Sequence, residues 1–376
     1  MAKKGEFTVT PWEVSGNVDY DLLIKDFGSQ RIDEPLRQRI KKLAGGELHY
    51  MLRRDLFFSH RDLPWVLDEY EKGNKFSLYT GRGPSEHTHI GHLVPWFFTK
   101  WLQDKFNVPL LFQFTDDEKY LFKDKLTRKD TLEFSKENML DVLAVGFDPK
   151  KTRMIVDTKE IATLYPHALD VAKKVTFSTA KAVFGFTNDT NIGSIFFTSI
   201  QSVPAFLPTI EKGKPVPVLI PCAIDQDPHF RVTRDVAPRL GYPKPAMLHC
   251  RFVPALLGPQ SKMSASDPVN TIFTTDAPEE AAKKVMRAFT GGRATVAEQR
   301  EKGGNPDICS VCQYLNFLFE PDDKKLKERF EDYRNGKILD GENKAYLAEK
   351  VKAFLKEHQR KREQARPLVE KLFEEK

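Results

Sequence analysis

Two short runs hold the side chains best suited to chemistry. One is His89-Ile90-Gly91-His92, with Gly81-Arg82-Gly83 just ahead of it; the other, far downstream, is Lys262-Met263-Ser264-Ala265-Ser266. Imidazole N–H groups, a guanidinium, and a lysine beside small hydroxyls are donors that suit polyphosphate oxygens. Gly81 and Gly83 let the backbone approach such a ligand with no Cβ in the way. An isolated His-x-Gly-His means little, because turn histidines near a surface are its ordinary reading. The lysine run lies between Gly258-Pro259-Gln260 and Asp267-Pro268, turn formers that predict a loop able to close over a triphosphate.

The elements around the first run suit the same chemistry. Phe76-Ser77-Leu78-Tyr79 predicts a strand. Apolar residues at Ile90, Leu93, Val94, Phe97, Phe98, Trp101 and Leu102 keep the period of a helix with one buried face. A strand, a glycine turn and a helix start make a phosphate site, since the helix start offers free N–H groups and the positive dipole end. Pro95 then requires the helix to begin near Gly91, with the proline in or near its first turn.

From about Lys75 onward strand-like and helix-like stretches alternate. Residues 108–114 are almost wholly apolar, as a strand buried on both faces should be. Residues 127–146 read as a helix, with Thr127 and Asp130 spaced as a capping box and Gly146 as the stop. Residues 152–157, 216–220 and 246–252 predict further strands, and 228–240 a helix. This alternation predicts an α/β fold, a Rossmann-like parallel sheet with helices on both faces, whose ligands bind beyond the carboxyl ends of the strands. Residues 158–215 interrupt it with mostly helical material, within which 184–197, rich in turn residues and aromatics, reads as core or as a subunit interface.

After Pro278 the pattern is helical, over 278–289, 306–319, 323–335 and 342–374. In the last of these Leu347, Val351, Leu355 and His358 keep one face, and Pro367 is a kink or a break. Ahead of residue 70, a β-prone stretch at 9–14 and helices at 19–26, 35–43 and 64–71 read as a cap over the core. The expected organisation is an N-terminal extension over 1–70, a Rossmann-like nucleotide-binding domain over 71–285, and a C-terminal helical domain over 286–376.

The 376 residues carry 59 Lys and Arg against 53 Asp and Glu, a net charge of +6. That excess is compatible with a nucleic-acid partner, and solvated mixed-charge helices explain it equally well. Four cysteines make no disulfide scaffold. Cys309-Ser310-Val311-Cys312 is a CxxC, but with no second pair and no close histidine it lacks the four ligands of a structural zinc site. No apolar run approaches the roughly 20 residues that span a bilayer. Met1-Ala2-Lys3-Lys4-Gly5-Glu6 has no apolar h-region and lacks the character of a transit peptide. A cytoplasmic protein with no metal site of its own is expected.

Together the two runs resemble the HIGH and KMSKS signatures of the class I aminoacyl-tRNA synthetases. Ala223-Ile224-Asp225-Gln226-Asp227-Pro228-His229-Phe230-Arg231 and Thr115-Asp116-Asp117-Glu118-Lys119-Tyr120 resemble segments of the eukaryotic-type tryptophanyl-tRNA synthetases. So do Phe97-Phe98-Thr99-Lys100-Trp101-Leu102-Gln103-Asp104 and Phe57-Phe58-Ser59-His60-Arg61-Asp62. The likeness runs in family order from about Pro11 to the C-terminus. Ala265 stands where many class I enzymes carry a second lysine; the eukaryotic-type enzymes resemble this chain there, and Lys262 alone keeps the loop charge.

The resemblance implies ATP-dependent activation of L-tryptophan and transfer to tRNA(Trp), with magnesium accompanying the nucleotide. It implies that His89, His92 and Lys262 are catalytic, with Lys262 on the leaving pyrophosphate. Gly81, Arg82, Gly83, Gly91, Met263, Ser264 and Ser266 complete the ATP site. It further implies a homodimer built partly from 158–215, an anticodon-binding role for the helical domain, and packing of the N-terminal region near the active site. Gly291-Gly292-Arg293 is a candidate contact to the anticodon.

Selecting tryptophan needs a flat apolar slot, an acceptor for the indole N–H, and groups for the α-ammonium. Gln113 is a polar residue ending an apolar strand, Tyr79 closes the first strand, and Glu118 and Gln226 follow later ones. Any one alone reads as a strand-end polar group satisfied by backbone. By resemblance, Tyr79 and Gln113 face the indole N–H while Gln113, Glu118 and Gln226 serve the ammonium. Asp116 and Asp117 are expected to shape the turn. No insertion is large enough for an editing domain, which fits a substrate larger than its competitors. Two alternatives stand: a tyrosyl-tRNA synthetase, and a non-catalytic RNA-binding relative. The 115–120 and 223–230 segments argue against the first, and intact His89, His92 and Lys262 against the second.

Overall fold

In the computed structural model of the chain the described residues are 2–4, 7–9, 14–16, 18–264 and 267–374. Among them seven strands form the main sheet, in the order Gln30–Arg31, Phe57–Arg61, Ala246–Cys250, Val218–Ala223, Ser77–Arg82, Leu110–Phe114 and Thr152–Val156. The last five run parallel, as the alternation predicts. The first two are antiparallel additions from the region ahead of residue 70. That region therefore extends the sheet as well as covering it. Phe57-Phe58-Ser59-His60 is buried throughout, like a central strand, and was not read as one.

Strand side chains alternate between two apolar layers, as a pleated sheet requires. Leu78, Leu110, Phe112, Leu219 and Leu248 enter one layer. Tyr79, Leu111, Ile155, Val218, Ile220 and Met247 enter the other. The first layer packs the helix Ile90–Phe106, and it continues without a break into Val311, Tyr314, Leu347, Val351 and Leu355 of the C-terminal helices. The helical region thus shares one core with the sheet.

Several local expectations hold. The helix Arg128–Val145 starts on the Thr127–Asp130 capping box and stops at left-handed Gly146. The region 158–215 is helical, with Ile161–Ala172, Phe177–Phe184, Ile192–Ile200 and Leu207–Lys212. Ile90–Phe106 begins beside Gly91, at Ile90, with Pro95 next to the first turn, where it removes the N–H that would bond the Gly91 carbonyl. Others need correcting. The helix Asp340–Glu374 runs through Pro367 unbroken, and the helix Val296–Lys302 was not foreseen. A second sheet joins Ala2–Lys4, Phe7–Val9 and Val14–Gly16 to Gly258–Lys262 and Pro254–Ala255. No described helix is long and apolar enough to cross a membrane.

The long last helix is pinned by charge as well as by apolar packing. His358 and Arg362 continue its inner face and are buried against Asp141 of Arg128–Val145, at 2.9 and 2.5 Å. The Gly291-Gly292-Arg293 turn has a packing reason for its glycines. A Cβ on Gly292 would stand 2.1 Å from an Asp340 oxygen, and one on Gly291 would stand 1.9 Å from the Asn305 carbonyl. Arg293 donates to the Gly303 carbonyl at 3.0 Å.

Candidate active site

The strand order reverses between Ser77–Arg82 and Val218–Ala223, which is where ligands bind in such sheets. Pairing of those two strands covers only Ser77 with Val218 and Leu78 with Leu219. Pro221, two residues on, has no N–H with which to extend the ladder. The crevice opens there. Alternation along Ser77–Arg82 then separates two functions. Tyr79 and Gly81 point to one face, beside Gln113, and Arg82 points to the other, toward Ile90–Phe106.

On the Arg82 face the nucleotide residues come together. Arg82 Nη1 lies 2.6 Å from His92 Nε2, and Nε lies 3.3 Å from Asn138 Oδ1. Asn138 also clasps the turn, bonding the N–H and the carbonyl of Ser85 at 3.1 and 2.8 Å. Burial lowers the Arg82 guanidinium to about 10, so it stays charged at neutral pH. The His89 N–H lies 3.2 Å from His92 Nδ1, and the two rings stack with centroids 3.5 Å apart. An imidazole has at most one acceptor nitrogen, so donors on both sides of His92 exceed what the ring can take. An anionic oxygen placed here would accept from the Arg82 guanidinium.

The second run reaches the first through backbone. Lys262 ends a strand rather than lying within a loop, and Met263 and Ser264 follow it without regular structure. The Lys262 side chain, Ala265 and Ser266 lie outside the described part. Met263 is buried, its N–H bonded to Val253 O at 3.0 Å, and its sulfur lies over Gly91. Just past the run, Ile272 O accepts from Ile90 N at 3.1 Å, and Thr274 N donates to Thr88 O at 2.9 Å. The chain after the lysine run is thus stitched to the turn before the histidine helix.

Gly81 and Gly83 both meet close neighbours. A Cβ on Gly81 would stand 2.8 Å from the Gln113 carbonyl oxygen. One on Gly83 would stand 2.8 Å from Glu118 Oε2 and from Lys119 Cε. Lys119 thereby joins the glycine turn, a position that its place in the sequence did not disclose.

On the opposite face Tyr79 and Gln113 are buried together. The Tyr79 hydroxyl lies 2.5 Å from Gln113 Oε1 and 3.1 Å from the Gln201 carbonyl. Burial raises the phenol well above its ordinary range, so it remains a neutral donor and acceptor. The Phe230 ring meets Tyr79 edge-on at 5.7 Å, which ties the helix Asp227–Val236 to the first strand. Gln226 is half-buried at the start of that helix. Glu118 accepts from Thr115 Oγ1 at 2.6 Å in the first turn of Asp116–Phe122. Burial lowers His229, next to Phe230, to about 4, so its imidazole is neutral at ordinary pH.

Sequence reasoning missed one of the three acids behind this pocket. Asp157, directly after the last strand, lies with both oxygens 2.9 Å from Gln113 Nε2. Burial, with the neighbouring charge of Asp117, raises its pKa well above the carboxylate range. Burial also lifts Asp117, to about 7. Asp116 accepts from Thr158 N at 3.1 Å. Asp116 and Asp117 therefore belong to a helix and to buried contacts, where a turn was expected. The available signal was position, since all three acids follow strand ends.

The family described as tRNA synthetases class I (W and Y) matches residues 71–356. The tryptophan–tRNA ligase of Pyrococcus furiosus is 54% identical over 367 residues, covering 97% of this chain and 94% of that protein. The structure of Plasmodium falciparum tryptophanyl-tRNA synthetase aligns with a TM-score of 0.87 at 40% identity, over 92% of this chain and 94% of that one. The tryptophan-bound Encephalitozoon cuniculi enzyme aligns with a TM-score of 0.85 at 35% identity, over 92% and 95%. With both signature runs at one crevice and this likeness along nearly its whole length, the chain belongs to the class I tRNA synthetases of the tryptophan and tyrosine group.

Proposed function

We propose that the chain is a tryptophan–tRNA ligase of the eukaryotic-type kind. The observation that carries the reading is the buried Tyr79–Gln113 pair at the sheet's switch point, opposite the Arg82–His92 contact. Tyr79 Oη and Gln113 Oε1 are acceptors that suit an indole N–H. A site built around such a group rejects substrates that leave it unpaired. Smaller residues would lose about 0.8 kcal/mol per missing CH₂ of burial.

In the first step a tryptophan carboxylate oxygen attacks the α-phosphorus of ATP. The bond to the β-phosphate oxygen breaks, giving tryptophanyl-adenylate and pyrophosphate. In the second step a hydroxyl of the terminal tRNA ribose attacks the acyl carbon and AMP leaves. Positioning and charge stabilisation dominate such chemistry. Arg82, His89 and His92 bind phosphate oxygens, Gly81, Gly83 and Gly91 leave them room, and Lys262, Met263, Ser264 and Ser266 close over the leaving pyrophosphate. These donors fit phosphate oxygens and not a cation, so magnesium comes with the nucleotide, where it neutralises phosphate charge. Glu118 and Gln226 hold the α-ammonium.

Residues 286–376 are assigned the anticodon. A homodimer is supported by an exposed apolar stripe, Ile161, Tyr165 and Leu169, at one-turn spacing on Ile161–Ala172. The test is charging: the protein with ATP, magnesium and tryptophan should aminoacylate tRNA(Trp) and not tRNA(Tyr). Charging of tRNA(Tyr) with tyrosine would overturn the reading.

A further inference from the structure

A glutamine facing an indole has an orientation problem. Turned one way its amide offers an oxygen that accepts the indole N–H; turned the other way it offers N–H groups that repel it. The two ends have nearly the same shape, so neighbours must decide.

The Tyr79 hydroxyl, 2.5 Å from Oε1, can donate or accept and tolerates both orientations. Asp157 does not. Its two oxygens flank Gln113 Nε2 at 2.9 Å each, and they accept from it. Burial and the neighbouring Asp117 charge raise Asp157, and both of its oxygens lie within hydrogen-bond reach of the amide nitrogen. Asp157 is fully buried, so bulk water does not replace its contact with the amide nitrogen.

We propose that Asp157 is a positioning residue for amino-acid selection: it holds the Gln113 amide with its oxygen toward Tyr79 and the indole N–H. The inference rests on the tryptophan–tRNA ligase reading and assigns that reading's selectivity to a side chain that touches no substrate. One oxygen of Gln113 has two lone pairs. With Tyr79 on one, the indole N–H takes the other, and the α-ammonium is left to Glu118 and Gln226.

The test compares tryptophan with β-(3-benzothienyl)alanine, in which sulfur replaces the indole N–H at nearly constant shape. The quantity is the ratio of kcat/KM values in ATP–pyrophosphate exchange, taken on one preparation so that any unfolded fraction cancels. Asp157→Leu takes the acceptor away and leaves the Gln113 amide free to turn over. The preference for tryptophan should fall roughly 10-fold or more, with the analogue's own kcat/KM much less changed. Asp157→Asn keeps a carbonyl oxygen for Gln113 Nε2, with its NH₂ turned away from the glutamine, and should retain the wild-type ratio. Asp157→Ala also removes the acceptor, so the ratio should fall there too if the leucine variant does not fold. Equal losses for both substrates in the leucine and alanine variants, with an unchanged ratio, would overturn the proposal. Absence of exchange in the unmodified protein would instead overturn the reading beneath it.

Discussion

Met263 lies over Gly91, its sulfur 3.6 Å from where a β-carbon would stand. The same β-carbon would meet His89 Nδ1 at 3.0 Å and Cε1 at 3.1 Å. One missing methyl group thus lets the two signature runs close on each other. Gly91→Ala should push the His89 ring and Met263 apart. We expect the ATP KM to rise and kcat to fall, together by about 10²-fold, the scale of one lost transition-state donor. The tryptophan KM should change little, as read by ATP–pyrophosphate exchange with each substrate varied in turn.

Gly81 and Gly83 should respond differently to alanine. At Gly81 the obstacle is the Gln113 carbonyl in the adjacent strand, which cannot swing away. Gly81→Ala should lower the melting temperature and weaken tryptophan binding. At Gly83 the obstacles are the ends of the Glu118 and Lys119 side chains, which can move. Gly83→Ala should fold normally yet raise the tryptophan KM, because Glu118 leaves its place. Parallel thermal melts and KM values separate the two cases.

Stability should depend on pH with two opposed contributions. Burial holds His49 and His229 at about 4, against 6.5 for the ordinary side chain. The unfolded chain therefore takes up their protons first, and stability is lost as pH falls from about 6.5 toward 4. Asp117 is raised to about 7 from 3.8, so its contribution is present at low pH and lost as pH rises toward 7. Asp117→Asn removes the second contribution. The melting temperature of the unmodified protein relative to this variant should rise as pH falls from 7 to 4. A difference constant across that range would contradict the assignment.

The attachment of the last helix should be sensitive to charge. Arg362 and Asp141 are buried, and His358 completes the cluster. Arg362→Ala leaves Asp141 buried with one fewer partner, and should cost about 3 kcal/mol or more of stability, read by denaturant unfolding. The proposed homodimer is tested on the surface: the unmodified protein should sediment as a dimer and Tyr165→Glu, in the exposed stripe, as a monomer with a cooperative melting profile.

What could be read ahead of the structure follows from how local each signal is. The strand–turn–helix at 77–106 and the Thr127 cap are written in contiguous residues and were legible. The Phe57–Arg61 strand was missed because its place depends on pairing with Ala246–Cys250, far away in the chain. Pro95 was legible as well: the helix begins at Ile90, beside Gly91, with the proline just past its first turn. Asp157 shows the limit most clearly. Only its place at a strand end marks it in sequence, and it takes the parallel pairing of Leu110–Phe114 with Thr152–Val156 to bring it beside Gln113. Tyr79 and Gln113 were found by type and position, and the structure places them in contact. For Lys262 the structure adds the backbone placement alone.

The central claim is activation of tryptophan at this crevice. The measurement that tests it most directly is ATP–pyrophosphate exchange with each of the twenty amino acids in turn, with magnesium present. Exchange with tryptophan alone is the predicted result. Exchange with tyrosine in its place would keep the fold and contradict the assignment of the Tyr79–Gln113 pocket, and no exchange from folded protein would contradict the catalytic reading itself.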